Sequence, residues 1–164
     1  MKTKKVAMLG LTIALAMIMS YIEALVPLSF AVPGIKMGLA NIVIIFVLYK
    51  FSMKDAVLVS AIRVILVSLL FSNVMAMWYS LAGAVLSLSV MCILKKTDKF
   101  SVIGVSVAGG IMHNVGQIIM AVILLGTEQI ALYLPVLIIT GTVTGVIIGI
   151  VSGLVINRFK NIRL

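Results

Sequence analysis

Long runs of apolar residues, separated by short polar segments, extend along the whole chain. The apolar positions are continuous rather than alternating, which favours membrane-spanning helices over a β-barrel. A helix needs about 20 apolar residues to cross roughly 30 Å of hydrocarbon. On this measure residues 1–164 are predicted to form one domain with six spans, at about residues 6–26, 35–50, 56–72, 74–94, 102–125 and 132–156.

The amino-acid composition also supports a membrane protein. The chain is 63% hydrophobic and only 10% charged, which leaves too few charged side chains to cover the surface of a soluble domain. We therefore expect an all-α integral membrane protein, a six-transmembrane-helix bundle whose main surroundings are the lipid bilayer. The single cysteine, Cys92, excludes a disulfide within the chain.

The positions of the basic residues predict the orientation in the membrane. A net charge of +9 would suit a nucleic-acid partner, but the charges form short clusters between apolar runs, so we expect no nucleic acid. Eleven of the 13 basic residues fall on one predicted side: Lys2, Lys4, Lys5, Lys50, Lys54, Lys95, Lys96, Lys99, Arg158, Lys160 and Arg163. That side is predicted to be cytoplasmic, with both termini on it, in a multi-pass protein of the cell membrane.

The second predicted span is short. Residues 38–49 would cover roughly 18 Å as a helix, and extending the helix back to Ile35 brings Lys36 and Asn41 into the outer third of the membrane. Short or Gly/Pro-interrupted spans indicate binding sites in transporters. The alternative is a tilted helix or a thinned bilayer with Lys36 extending outward to the headgroups.

Two charged residues near or inside the spans need an explanation. Arg63 lies roughly 12 Å into the third span, a depth at which an arginine is costly unless it is paired or faces water. It either binds a ligand or forms an internal pair that locks helices together, and Asp55 is two turns away. Glu23, near the outer end of the first span, is either solvated or a counter-charge for Lys36 or Arg63.

A polar cluster lies in the middle of the fifth span. His113, Asn114 and Gln117 share one helix face because they are three or four residues apart, and Ser106 and Gly110 extend that face. Hydrogen bonds between helices would explain a single polar residue. Three together, including the only histidine of the chain, favour a binding site.

Small residues form two further patterns. Gly141, Gly145, Gly149 and Gly153 recur at a spacing of four, which is typical of a close helix–helix contact. The first span has Gly10 and Ala14 on one side and Ala16 and Ser20 on another. One of these faces could serve a partner subunit.

Several kinds of chemistry have no motif in the sequence. There is no phosphate-binding loop of the P-loop type, and the four acidic residues are isolated, so there is no Asp-rich magnesium motif. No serine–histidine–acid arrangement can be assembled. We therefore predict that the chain is not an enzyme and has neither a cofactor nor a metal site.

Three segments carry a resemblance to a known family. They are Pro33-Gly34-Ile35-Lys36-Met37-Gly38-Leu39-Ala40-Asn41, the His113-Asn114-Val115-Gly116-Gln117 motif, and Leu134–Leu137 with Thr144-Gly145. Together they resemble the bacterial heptaprenyl diphosphate synthase component I family, also named the Gx transporter family. That family is similar in turn to the S components of energy-coupling factor transporters.

The resemblance implies a six-helix protein that captures a small molecule from outside. Such proteins work with a transmembrane coupling subunit and two ATPases, and small residues of helix one contact that subunit, here Gly10, Ala14, Ala16 and Ser20. With Lys36 and Arg63 as cations, an anionic or zwitterionic ligand is expected. Its other contacts would be Glu23, Asn41, His113, Asn114 and Gln117. The alternative is an accessory membrane subunit of heptaprenyl diphosphate synthesis, in which the same cations meet a diphosphate.

Overall fold

A computed structural model describes residues 2–25 and 38–160, which form six α-helices and one short 3-10 helix. The helices follow the six predicted apolar segments closely. Their bounds are α1 Lys2–Leu25, α2 Asn41–Lys50, α3 Met53–Phe71, α4 Val74–Lys96, α5 Val102–Leu125 and α6 Leu134–Arg158, and the 3-10 helix Glu128–Tyr133 precedes α6.

Local sequence explains where several helices begin and end. The side chains of Ser52, Asn73 and Ser101 each accept a hydrogen bond from the backbone N–H three residues later and so cap α3, α4 and α5. Helix α5 ends at Gly126, whose φ of 62° lies in the left-handed region that favours glycine. Pro135 occupies the first turn of α6, where its missing N–H costs nothing.

Four helical stretches in the described residues are long and apolar enough to cross a membrane: Thr3–Glu23, Val74–Lys96, Val102–Leu125 and Glu128–Arg158. They support a membrane location. Helix α3 has 19 residues but carries Lys54, Asp55 and Arg63, and α2 has only 10 residues, or roughly 15 Å. Length and composition therefore support four spans, and the six-span topology stays a prediction.

Helix α2 lies at the centre of the bundle. Every residue from Val43 to Leu48 is buried, and a helix that is buried on all sides lies inside a protein rather than at its surface. It contacts α1, α3 and α6. The other helices all contribute to the core around it, through Ala16, Ala56, Val59, Leu88, Met91, Val105 and Ile148.

Lysines hold helix ends together at one end of the bundle, which we call the lysine-rich end. There the Lys95 ammonium donates to the carbonyl oxygen of Leu48, and Lys50 Nζ donates to the carbonyl oxygen of Phe159 at 2.5 Å. Lys5 Nζ lies 2.8 Å from the Asp55 carboxylate. These contacts join the start of α1, the end of α2, the start of α3 and the ends of α4 and α6.

Glycines let α4, α5 and α6 approach closely. A Cβ on Gly145 would lie 2.7 Å from the Val107 Cα, and one on Gly149 would lie 2.7 Å from the Ile103 Cα. Gly141 packs equally closely against α5, whereas nothing lies within 4 Å of a Cβ at Gly153. Three of the four predicted packing glycines therefore lie in an internal α5–α6 contact.

The two small-residue faces of α1 differ in their surroundings. Ala16 and Ser20 are buried in the bundle. Gly10 and Ala14 are exposed, and nothing in the described part of the chain lies within 4 Å of a Cβ at Gly10. Only the Gly10–Ala14 face is therefore accessible to another protein.

Candidate functional site

Helix α2 begins inside the bundle. Its end is anchored at the lysine-rich end, and its 10 residues extend roughly 15 Å from there, which is less than half the length of the 25-residue α6. Gly38, just before α2, packs beside Ile148, near the middle of α6. The N-terminal end of α2 is thus surrounded by the middle parts of longer helices.

The Glu23 carboxylate binds at this helix end. Its Oε1 accepts a hydrogen bond from the backbone N–H of Gly38, where the chain turns with a φ of 78°. Glu23 is buried, with 8% of its surface exposed. The Gly38 N–H lies in the turn before α2, whose first N–H groups bond to the carbonyl oxygens of residues 38–40. Glu23 is therefore a buried carboxylate held by the backbone rather than a solvated interfacial residue.

Arg63 is the second charge at this place. It is 91% buried, given its exposed fraction of 9%, and its guanidinium acts electrostatically with Glu23. One of its terminal nitrogens, Nη1, donates to the Ser20 hydroxyl at 3.3 Å, and its Nε has no hydrogen-bond partner among the described residues. Because a buried unfilled donor is costly, Arg63 Nε is a place where a ligand acceptor would be stabilised.

A small cavity adjoins this charged pair through Gly38. Its volume is about 10 Å³, roughly the space that a single water molecule requires. The polar side chains that line it are those of Asn41, Ser106, His113, Asn114 and Thr144. The Ser106 hydroxyl is buried and has no hydrogen-bond partner in the part of the chain that the structure describes. We call this cavity, together with Ser20, Glu23, Gly38 and Arg63, the central site.

Asn114 also has a structural role. Its Nδ2 donates to the carbonyl oxygen of Leu137 at 2.7 Å, which links α5 to α6. The carbonyl group of its side chain is not used in that bond. Asn114 therefore joins two helices and also lines the cavity, and its role in binding stays a prediction.

The predicted site residues separate into three groups. Asn41, His113 and Asn114 line the cavity, while Glu23 and Arg63 do not line it but interact electrostatically with each other. Gln117 does not line the cavity, and its Cγ would lie 3.0 Å from a Cβ on Gly83 of α4. Lys36 lies outside the described residues, so its predicted role is not addressed by the structure.

Two contributors were not predicted as site residues. Ser20 was assigned to helix packing, yet it accepts the Arg63 hydrogen bond. Its position three residues before Glu23 on the same helix face was a usable signal. The backbone N–H of Gly38 could not be predicted, because side-chain patterns do not show which backbone groups lack a helical partner.

The fold and the central site together define a class, an all-helical protein of membrane type with a charged site enclosed by apolar helices. The family model described as heptaprenyl diphosphate synthase component I matches residues 12–155, and the chain belongs to this family. The resemblance drawn from the three sequence segments is thereby confirmed. No curated protein and no solved structure matches the chain significantly.

Proposed function

We propose that the chain is a membrane-embedded substrate-capture subunit that binds an anionic or zwitterionic small molecule at the central site. The observation that carries the proposal is the buried Arg63 with its unfilled Nε donor. Its charge interacts with Glu23, which accepts a hydrogen bond from the Gly38 N–H just before α2. A helix N-terminus together with an arginine is an anion-binding arrangement. Transporters use interrupted helices in this way, with half-helix N-termini directed at an anionic group.

Glu23 fits the same proposal. In the structure its carboxylate binds the Gly38 N–H and acts on Arg63, which are the groups that an anionic ligand would use. A ligand acid group would share or replace these contacts, and the amine of a zwitterionic ligand would pair with Glu23. Asn41 and His113 would supply directional hydrogen bonds from the cavity.

The small volume of the cavity indicates that the central site is closed. Small-molecule pockets typically have volumes of about 300–1,000 Å³, far above the 10 Å³ of the central cavity. We infer that the central site is closed in this arrangement and that α2 must separate from α5 and α6 when a ligand enters.

The proposed topology has six spans, with both termini at the cytoplasmic, lysine-rich end. The N-terminal end of α2 then faces the outer half of the membrane, from which the ligand would enter. The chain would bind the ligand without chemical change, and a coupling subunit with ATPases would supply the energy. Of the four small residues expected to contact such a subunit, Gly10 and Ala14 are the two that are exposed.

The description of the matched family favours a second candidate function. As an accessory membrane subunit of heptaprenyl diphosphate synthesis, the protein would present Arg63 and the end of α2 to a diphosphate. A soluble synthase subunit would then supply the magnesium-binding carboxylates.

Native mass spectrometry of the protein, purified in mild detergent, tests the proposal. We expect a bound small molecule on the unmodified protein and on Arg158→Gln, which removes an exposed arginine. Arg63→Gln should lose it, because the guanidinium is the main cation of the site. Co-purification of a soluble subunit with prenyl-chain synthesis in the mixture would support the second candidate. The capture proposal is wrong if no ligand is found and Arg63→Gln only lowers thermal stability.

A further inference from the structure

An open groove between α3 and α4 contrasts with the small central cavity. It has a volume of about 360 Å³, and apolar and small side chains form most of its wall, among them Val57, Ala61, Ala84, Leu88 and Cys92. The small side chains of Ala61 and Ala84 leave room that larger residues would fill. Since the groove is open to the surroundings of the bundle and is largely apolar, a hydrocarbon chain is its natural occupant in a bilayer.

The groove approaches the lysine-rich end. Val57 follows Lys54 by about one helical turn, and Cys92 precedes Lys96 by about one turn. Helix α3 begins at this end and α4 ends there, so the two lysines flank the same end of the groove. Both are exposed, and the described residues offer neither ammonium a hydrogen bond or an ion pair, in contrast to Lys95, which donates to Leu48.

We propose that the α3–α4 groove binds an anionic phospholipid, with one acyl chain along its wall and the phosphate group at Lys54 and Lys96. The apolar wall accounts for the chain, and the two lysines account for a preference for negative charge. Basic residues close to a membrane surface attract anionic headgroups in this way. The proposal does not depend on the central site, because none of its residues belongs to the groove.

Lipid retention on the full chain tests the charge preference. Delipidated protein in neutral detergent is supplied with phosphatidylglycerol or phosphatidylcholine of equal chain length, and bound lipid is counted by native mass spectrometry. We expect phosphatidylglycerol to be retained about tenfold more strongly. The double variant Lys54→Gln/Lys96→Gln should reduce this preference to near unity. Lys160→Gln, which removes an exposed lysine of α6's end, should leave it unchanged.

The only cysteine of the chain reports whether the groove itself is filled. Cys92 lines the groove and is partly exposed, and maleimide modification of this single thiol can be followed by intact mass. Phosphatidylglycerol should slow the modification several-fold relative to phosphatidylcholine, and Ala61→Leu, which fills the groove, should weaken phosphatidylglycerol retention. This second readout stays informative if the double lysine variant does not fold.

Three results would overturn the assignment. One is equal retention of the two phospholipids, and another is an equal loss of preference in Lys160→Gln, which would indicate a general charge effect. The third is displacement of phosphatidylglycerol by geranylgeranyl phosphate at equal concentration, which would make the groove a prenyl-lipid site.

Discussion

The central site and the α3–α4 groove differ in polarity and in openness, although both lie among apolar helices. The central site is polar and closed, with room for about one water, whereas the groove is apolar, open and about 360 Å³ in volume. In a bilayer an apolar groove can stay open because lipid chains fill it without loss of hydrogen bonds. A polar site cannot, because each unpartnered polar group in an apolar interior is costly.

Under the proposed function, volume is a poor guide to the binding site. The larger space lies between helices that carry few polar atoms at the groove, and the smaller one lies beside a buried arginine with an unfilled donor. Closure of the central site brings its polar side chains close together, and Arg63 Nε and the Ser106 hydroxyl are left without a partner among the described residues. The two regions should therefore respond very differently to substitution.

The largest effect is expected at the charged pair of the central site. Glu23→Leu would leave Arg63 buried without its counter-charge, and loss of one member of a buried pair costs about 3–5 kcal/mol. Arg63→Leu/Glu23→Leu should cost clearly less than the sum of the single changes, since neither charge is then left alone. Thermal unfolding in detergent measures these differences.

Glu128→Gln is the control for the charged pair, because Glu128 is an exposed acid in the short 3-10 helix. It should leave the unfolding temperature unchanged. If the effects of Glu23→Leu and Arg63→Leu simply add, the two residues do not act together, and the central site is not a coupled charged pair.

The sequence predicted the helices well, but it did not predict how deeply each helix lies in the bundle. Apolar runs and lysine clusters were enough to predict six helices, residue spacing predicted the polar face of α5, and three sequence segments indicated the family. They did not show that α2 begins at Asn41 and lies in the centre of the bundle, because an apolar helix surrounded by protein and one surrounded by lipid have the same pattern.

Contacts between distant parts of the chain also could not be predicted from the sequence. Arg63 and Ser20 are 43 residues apart in sequence, and the sequence left Glu23 open between a solvated residue and a counter-charge for Lys36 or Arg63. Asp55, two turns from Arg63 in sequence, pairs with Lys5 instead. Spacing along one helix shows which residues share a face, but it does not show which helix that face meets.

The next largest effect is expected where α5 and α6 approach at the cavity wall. Gly145→Ala places a Cβ 2.7 Å from the Val107 Cα, a backbone atom that cannot move aside locally. Overpacking of this kind costs about 1–3 kcal/mol. Gly153→Ala is the matched control, since nothing lies within 4 Å of its Cβ and the added methyl group should have almost no effect. Equal unfolding temperatures for the two variants would contradict the close α5–α6 contact.

A smaller effect is expected at the hydrogen bond between Asn114 and Leu137. Asn114→Leu removes the donor to a buried carbonyl group, and interhelical hydrogen bonds in membranes contribute about 0.6 kcal/mol on average. The fraction of ligand-bound protein should fall strongly while the unfolding temperature changes little, because Asn114 also lines the central cavity. The measurement is paired, with unfolding temperature and the fraction of ligand-bound protein determined on one sample.

The smallest effect on stability is expected in the groove. Ala61→Leu adds apolar volume to a space that is already open, so we expect a change in unfolding free energy within about 0.5 kcal/mol. A groove that required its shape for folding would instead show the overpacking cost expected at Gly145. Unfolding in one detergent without added lipid compares the two variants directly. Ala61→Leu fills the open groove, whereas Gly145→Ala narrows the closed central cavity. The two changes in unfolding free energy therefore show whether each space is needed for the stability of the fold.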